Sequence, residues 1–180
     1  MKTRLVLALT LIIALTGCEM IKDKATVPIS TQLKADVPIV IVTPGAAKSG
    51  NQAGAESAIV FSKSQDLSLS DNTDIKPYLD KIKEVDLTTL AVTITGLSAG
   101  QTINSVALDV TGVGNVFTQT NITSTNNTFT PTLTTGILDL VSAKLLKDKL
   151  VTLTLSGNAS GPMTITVSLN FGVEVVANVL

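Results

Sequence analysis

An antiparallel β-sandwich of about eight strands with two short helices is predicted by three features of the sequence. Apolar residues alternate with Thr or Ser in several short runs, as in Leu90, Val92 and Ile94 against Ala91, Thr93 and Thr95. Such runs bury one face of a sheet and wet the other, a need that two sheets packed face to face satisfy. A closed barrel is the alternative. Turn residues punctuate the runs, and only two stretches show helical spacing.

Along the chain, Val37, Ile39 and Ile41 open the first strand, and Pro38 places it at a sheet edge or a strand start. Residues 44–57, rich in Gly, Ala and Ser, read as a long loop. Strand character resumes at residues 58–61 and again at Leu67 and Leu69. Ile75, Leu79 and Ile82 then share one helical face, with Thr73 or Asp74 as cap and Pro77 tolerable in the first turn. Leu90–Ile94 and Val106–Val110 are strands joined across a turn at residues 96–101. The Thr- and Asn-rich stretch 112–135 holds two short strands near 115–122 and 127–133. A second helix spans residues 137–147, with Lys147 and Lys149 near its negative C-terminal end. Strands at Val151–Leu155 and Ile165–Val175 complete the order.

A shift of 61 positions aligns residues 74–110 with residues 135–171. Leu79 falls on Leu140, Leu90 on Val151, Val92 on Leu153, Ile94 on Leu155, Val106 on Val167 and Val110 on Phe171. Gly96 and Gly100 fall on Gly157 and Gly161, where the chain reverses. The pattern predicts a pseudo-repeat in which each copy is a short helix followed by a hairpin.

Composition excludes several kinds of chemistry. The chain has no His, no Trp, one Tyr and one Cys, and a formal net charge of -1. Without histidine, Ser-His-Asp and Cys-His catalysis are excluded, and zinc, copper and haem sites lack their usual ligands. A single cysteine forms no disulfide within the chain, so the fold rests on packing. No basic patch with interleaved aromatics is present, so nucleic acid is not an expected partner. No cofactor is expected.

The N-terminus carries an address. Lys2 and Arg4 precede an uncharged, mainly apolar run from Leu5 to Leu15, the layout of a signal peptide. Such a run spans only about 16 Å as a helix, against about 30 Å of bilayer core. Next come Leu15, Thr16, Gly17 and Cys18, which resemble the lipobox of bacterial lipoproteins. The resemblance covers the N-terminus alone. It implies cleavage between Gly17 and Cys18, a diacylglyceryl group on the Cys18 thiol and acylation, typically with palmitate, of the new amine. In enterobacterial-type sorting an Asp after the cysteine is a retention signal, so Glu19 favours the outer membrane. The resulting division is a signal peptide at 1–17, a lipidated N-terminus and tether at 18–36 and one sandwich domain at 37–180. That domain is also similar in character to small envelope lipoproteins of Bacteroidota-like bacteria, a likeness that implies no activity.

The remaining candidates are few. Asp66, Asp71, Asn72 and Asp74 supply oxygen ligands before a helix, as a calcium loop would, but the same residues suit a turn and a helix cap. Asp66, Asp80, Glu84, Asp86, Asp109 and Glu174 are the acids from which a glycosidase pair would be drawn. Asn121, Asn126 and Asn158 begin glycosylation sequons, better explained in a bacterial protein as turn formers and solvated β faces. The expected function is a non-enzymatic binding or structural module, held by lipid at the periplasmic or the outer face of the outer membrane and contacting an envelope protein through its loops or a strand edge. The alternative is a carrier of an apolar ligand, such as a lipid, in the domain interior.

Overall fold

The computed structural model describes residues 25–43 and 58–179. It contains β1 Thr26–Ile41, β2 Ile59–Ser68, β3 Ile82–Thr95, β4 Ile103–Val110, β5 Gly114–Ile122, β6 Thr128–Phe129, β7 Leu150–Ala159 and β8 Met163–Asn178. These form two four-stranded sheets, in the orders β1-β8-β3-β6 and β2-β7-β4-β5. The antiparallel partners are nested: β1 with β8, β2 with β7, β3 with β6 and β4 with β5. A ribbon of four nested pairs, folded so that successive pairs fall in opposite sheets, is the connectivity of a jelly roll. The expected β-sandwich is therefore present, as two open sheets.

Alternation builds the core. Every odd residue of β8 from Met163 to Ala177 is buried, while Thr164, Thr166, Ser168, Asn170 and Glu174 lie on the outer face. Strand β8 runs between β1 and β3, so its inward side chains meet neighbours on both sides and the opposite sheet in front. Phe117 of β5 and Phe129 of β6 join the two sheets edge to face, with ring centroids 6.1 Å apart.

Bulges interrupt the alternation. In β3 the register against β8 shifts between Leu87 and Thr89, so buried Leu87 and Leu90 lie three residues apart. The shift hides the first half of this strand from a period-two reading, which starts it at Leu90. In β5 a shift beside Asn115 makes Val116 and Phe117 adjacent buried residues.

Strand β1 begins at Thr26, so residues 26–36, expected as tether, belong to the sandwich. Its inward residues Val27, Ile29 and Thr31 are only half-buried and include a polar side chain, so no apolar rhythm announces the strand. Pro28 and Pro38 are ten residues apart on this edge strand and so aim their missing N–H groups the same way. Facing the open edge, they cost the ladder nothing and discourage pairing with a further strand. On β2, the other edge beside it, Lys63 is exposed at an inward-facing position, a second guard of this kind.

The first expected α-helix is instead two 3₁₀ turns, Leu69–Asp71 and Lys76–Lys81. Ile75 is fully buried, but Ile82 already belongs to β3. Neither Thr73 nor Asp74 caps the second turn. The turn has no side-chain cap; Asn72 instead braces the residues that lead into it, its Oδ1 accepting from the amides of Asp74 at 2.9 Å and Ile75 at 3.1 Å. The second helix, α1, spans Ile137–Asp148 and buries Ile137, Val141, Ser142 and Leu145. It closes one end of the sandwich, and the Oγ of Ser142 accepts from the Leu87 amide at 2.8 Å, beside the β3 bulge. Lys149 caps its end, donating from Nζ to the Leu146 carbonyl at 2.8 Å.

The aligned segments do not form hairpins. β3 and β4 lie in different sheets, as do β7 and β8, so each turn carries the chain across the sandwich. Advancing every strand by four places exchanges the two sheets, and the aligned residues follow that exchange: Leu90 and Val151, Val92 and Leu153, and Val110 and Phe171 are all buried. A Cβ on Gly96 would meet the Thr164 carbonyl oxygen, and one on Gly157 that of Ser105, in each case on the neighbouring strand. Gly100 and Gly161 both face open space. The helices break the likeness, since Leu79 is half-buried and Leu140 exposed.

Candidate functional site

The two ends of the sandwich differ in chemistry. One end carries α1, the 3₁₀ turns and the β4–β5 turn, with the lysines and carboxylates of those segments. At the other end the described connections, residues 96–102, 123–127 and 160–162, contain no charged residue. They are tied together by their own side chains. Gln101 accepts from the Ser98 amide at 2.9 Å and donates from Nε2 to the Pro162 carbonyl at 3.3 Å. The Thr102 amide donates to the Ser160 hydroxyl at 3.0 Å, while the Ser160 amide donates to the Thr102 carbonyl at 2.9 Å.

In the neighbouring loop the Asn126 side chain is used twice. Its Oδ1 accepts from the amide and hydroxyl of Thr123, and its Nδ2 donates to the Asn121 carbonyl at 3.0 Å. Asn121 holds φ at +56°, a left-handed conformation that Asn adopts more readily than most residues. Asn127 anchors the loop to β3, donating from Nδ2 to the Ile94 carbonyl at 2.9 Å. The result is a polar, uncharged rim of hydroxyl and amide groups on a braced backbone. Asn and Thr in this stretch are thus turn formers, as expected, and Asn158 donates at 2.8 Å to Ser105 across the outer face.

The residues considered for calcium are drawn apart. Asp66 lies on β2 and accepts from the Thr152 hydroxyl at 2.8 Å. Asn72 and Asp74 fasten the β2–β3 connection to β1, through Thr31 and the Gln32 carbonyl. Asp71 accepts a long bond from Ser70 at 3.5 Å. Among the described residues no three His, Cys, Asp or Glu side chains gather as a metal site. Asn72, read from sequence as a ligand or turn residue, turns out to be the clamp between an edge strand and the loop. An Asn two residues before Asp74 at a helical start is the Asx signal that points to it.

Of the six acids considered for hydrolysis, Asp86 and Glu174 are direct cross-strand partners on β3 and β8. Both are exposed on the outer face of the sheet, where like charges side by side repel. Asp66 and Asp109 belong to the other sheet, Asp80 to a 3₁₀ turn, and Glu84 to β3 beyond Asp86. A groove of about 440 Å³ runs between the edges of β1 and β2, lined by Val40, Val42, Val60 and Phe61 with Lys63. Gly17 and Cys18 lie outside the described residues.

One carboxylate has a displaced titration. The Ser168 hydroxyl donates to Asp36, and Lys34 approaches it at 3.3 Å; these hold its carboxyl below the usual range despite partial desolvation. A group depressed in the folded state contributes stability above its unfolded value, and that contribution is lost as the pH falls through the folded one. Because Asp36 is half exposed, the effect is small. Carboxyl NMR titration of Ser168→Ala is expected to move the Asp36 midpoint up towards the ordinary value; an unchanged midpoint would show that the hydroxyl is not its cause.

No protein-family profile matches the chain, and no curated protein is similar to it. Among solved structures, the chain is similar to the decameric BFDV capsid protein at 9% identity and a TM-score of 0.40, over 83% of this chain and 99% of that one. It is also similar to desmodium yellow mottle tymovirus, at 14% identity and a TM-score of 0.28 over 86% and 90% of the two chains. Turnip yellow mosaic virus follows, at 9% identity and a TM-score of 0.29 over 86% and 96%.

Proposed function

We propose that the protein is a lipid-anchored component of the bacterial envelope, acting as a non-catalytic binding or structural module. The observation that carries this reading is the tetrapeptide Leu15-Thr16-Gly17-Cys18 behind an apolar run too short to span a bilayer. Lipid on Cys18 anchors it to the outer membrane. Each buried methylene contributes about 0.8 kcal/mol, so several chains on one residue hold it effectively permanently.

Binding is assigned to the end of the sandwich whose described connections, 96–102, 123–127 and 160–162, carry no charge. Two prolines and an inward-facing lysine discourage pairing at the β1 and β2 edges, whereas the braced rim at 96–102, 123–127 and 160–162 offers hydroxyls and amides already held in place. Such a surface suits an uncharged, hydrogen-bonding partner in the envelope.

Radiolabelled palmitate is expected to enter the wild-type protein and not Cys18→Ala; equal labelling of both would remove the anchor. The alternative is a carrier of an apolar ligand in the domain interior; the groove between β1 and β2 has the volume of a small-molecule site but is open and includes Ser62 and Lys63 in its lining. Native mass spectrometry of a soluble form beginning at Lys24 separates the two. A bare chain mass is expected, and copurified lipid would favour the carrier.

A further inference from the structure

The fold relates the anchor to one end of the sandwich. Strand β1 starts at Thr26 at the end closed by α1, where the Val179 amide donates to the Ala25 carbonyl at 3.1 Å. Cys18 precedes Ala25 by seven residues. At no more than about 3.3–3.6 Å per residue, that length of chain reaches at most about 25 Å. The 16 residues of β1 extend about 50 Å at about 3.3 Å each. The loop end therefore lies about twice as far from Ala25 as the connecting chain can reach.

We infer that the α1 end is seated on the phospholipid headgroup layer and that the loop end projects away from it. This orientation rests on the lipidation of Cys18 proposed above. It names the bilayer surface as the partner of the α1 end and leaves the rim at 96–102, 123–127 and 160–162 free for a partner beyond the membrane.

The α1 end has side chains suited to that contact. Leu140 is 57% exposed on the outer face of α1, and it borders a shallow groove with Val113, Lys147 and the ion pair of Lys144 with Asp148 at 3.0 Å, which among the described residues leaves Lys147 as the unpaired cation of the groove. Leu150 and Val179, each 41% exposed, emerge at the same end. Aliphatic groups flanked by lysines fit the headgroup boundary, where long side chains keep their ammonium groups among the phosphates. Exposed valines also occur at the far end, Val60 among them at 77%, so apolar exposure alone does not choose between the ends; the reach of the chain does.

The absence of tryptophan from the sequence makes the test clean. Leu140→Trp and Val60→Trp, both at exposed positions, place a single reporter at each end. Each acylated full-length mature protein is reconstituted into vesicles of phosphatidylethanolamine and phosphatidylglycerol, with or without bromine on the acyl chains near the headgroup. Bromine is expected to reduce L140W emission at least roughly twofold and leave V60W emission unchanged. Quenching of V60W, alone or with L140W, would mean an inverted or side-on seat and overturn the inference. So would an unquenched L140W. The intact mass of the same sample separates the two readings: a bare chain removes anchor and orientation together, whereas an acylated chain with unquenched L140W removes the orientation alone.

Discussion

Phe171→Ala is expected to destabilise the domain by about 3–5 kcal/mol, the usual cost of deleting a fully buried aromatic ring. Phe171 has no exposed surface and sits mid-strand in β8, with Leu33 of β1 on one side and Leu90 of β3 on the other. Its ring faces the second sheet, so truncation opens a void that four strands would have to move to fill. Most domains have only about 5–15 kcal/mol of stability, so the variant should unfold at markedly lower urea. Val60→Ala, at an exposed position, should change stability by no more than about 0.5 kcal/mol. Equal midpoints for Phe171→Ala and the wild type would mean that the sheets do not pack through β8.

Gly157→Ala should also be destabilising, for a different reason. A Cβ at Gly157 would collide with the Ser105 carbonyl oxygen and lie 2.8 Å from Cζ of Phe61. The first obstacle is backbone of the paired strand β4, close to where its register shifts between Ile103 and Ser105, and it cannot rotate away. The strands must part or twist, at a cost of about 1–3 kcal/mol, towards the upper end because the obstacle is backbone. Gly161→Ala, four residues on in the turn after β7, meets nothing within 4 Å and should be close to neutral. Comparable losses at both positions would point to the turn's flexibility rather than close strand approach.

The glycines illustrate what local sequence conveys and where it stops. Gly96, Gly100 and Gly161 lie at the two reversals, whereas Gly157 falls inside β7, and the alternation in β7 and β8 marks which residues face inward. Which sheet the returning strand joins is a long-range choice. A turn such as 96–102 serves a hairpin or a crossing equally well, so the local pattern predicts two hairpins where the chain makes two crossings. The same limit applies to β1, whose first half is an edge with only half-buried inward positions, and to β3, where one bulge reverses the parity of the pattern. Around Ile75 the apolar spacing was right but short, and Pro77 together with the early start of β3 leaves room only for a 3₁₀ turn.

The candidate sites were less legible than the fold. Oxygen-rich spacing drew attention to Asp66, Asp71, Asn72 and Asp74, but proximity in sequence did not become convergence in space, because a strand, a 3₁₀ turn and a clamp onto β1 divide them. The braced rim was visible only as a Thr- and Asn-rich composition. Its hydrogen bonds join residues as far apart as Gln101 and Pro162, and no local pattern encodes that pairing.

The intact mass of the protein, extracted from membranes of cells expressing residues 1–180, decides whether it is lipid-anchored. A chain that begins at Cys18 and carries diacylglyceryl and acyl groups on that residue is expected. A chain that keeps residues 1–17, or one that begins elsewhere with an unmodified Cys18, would contradict the lipid anchor.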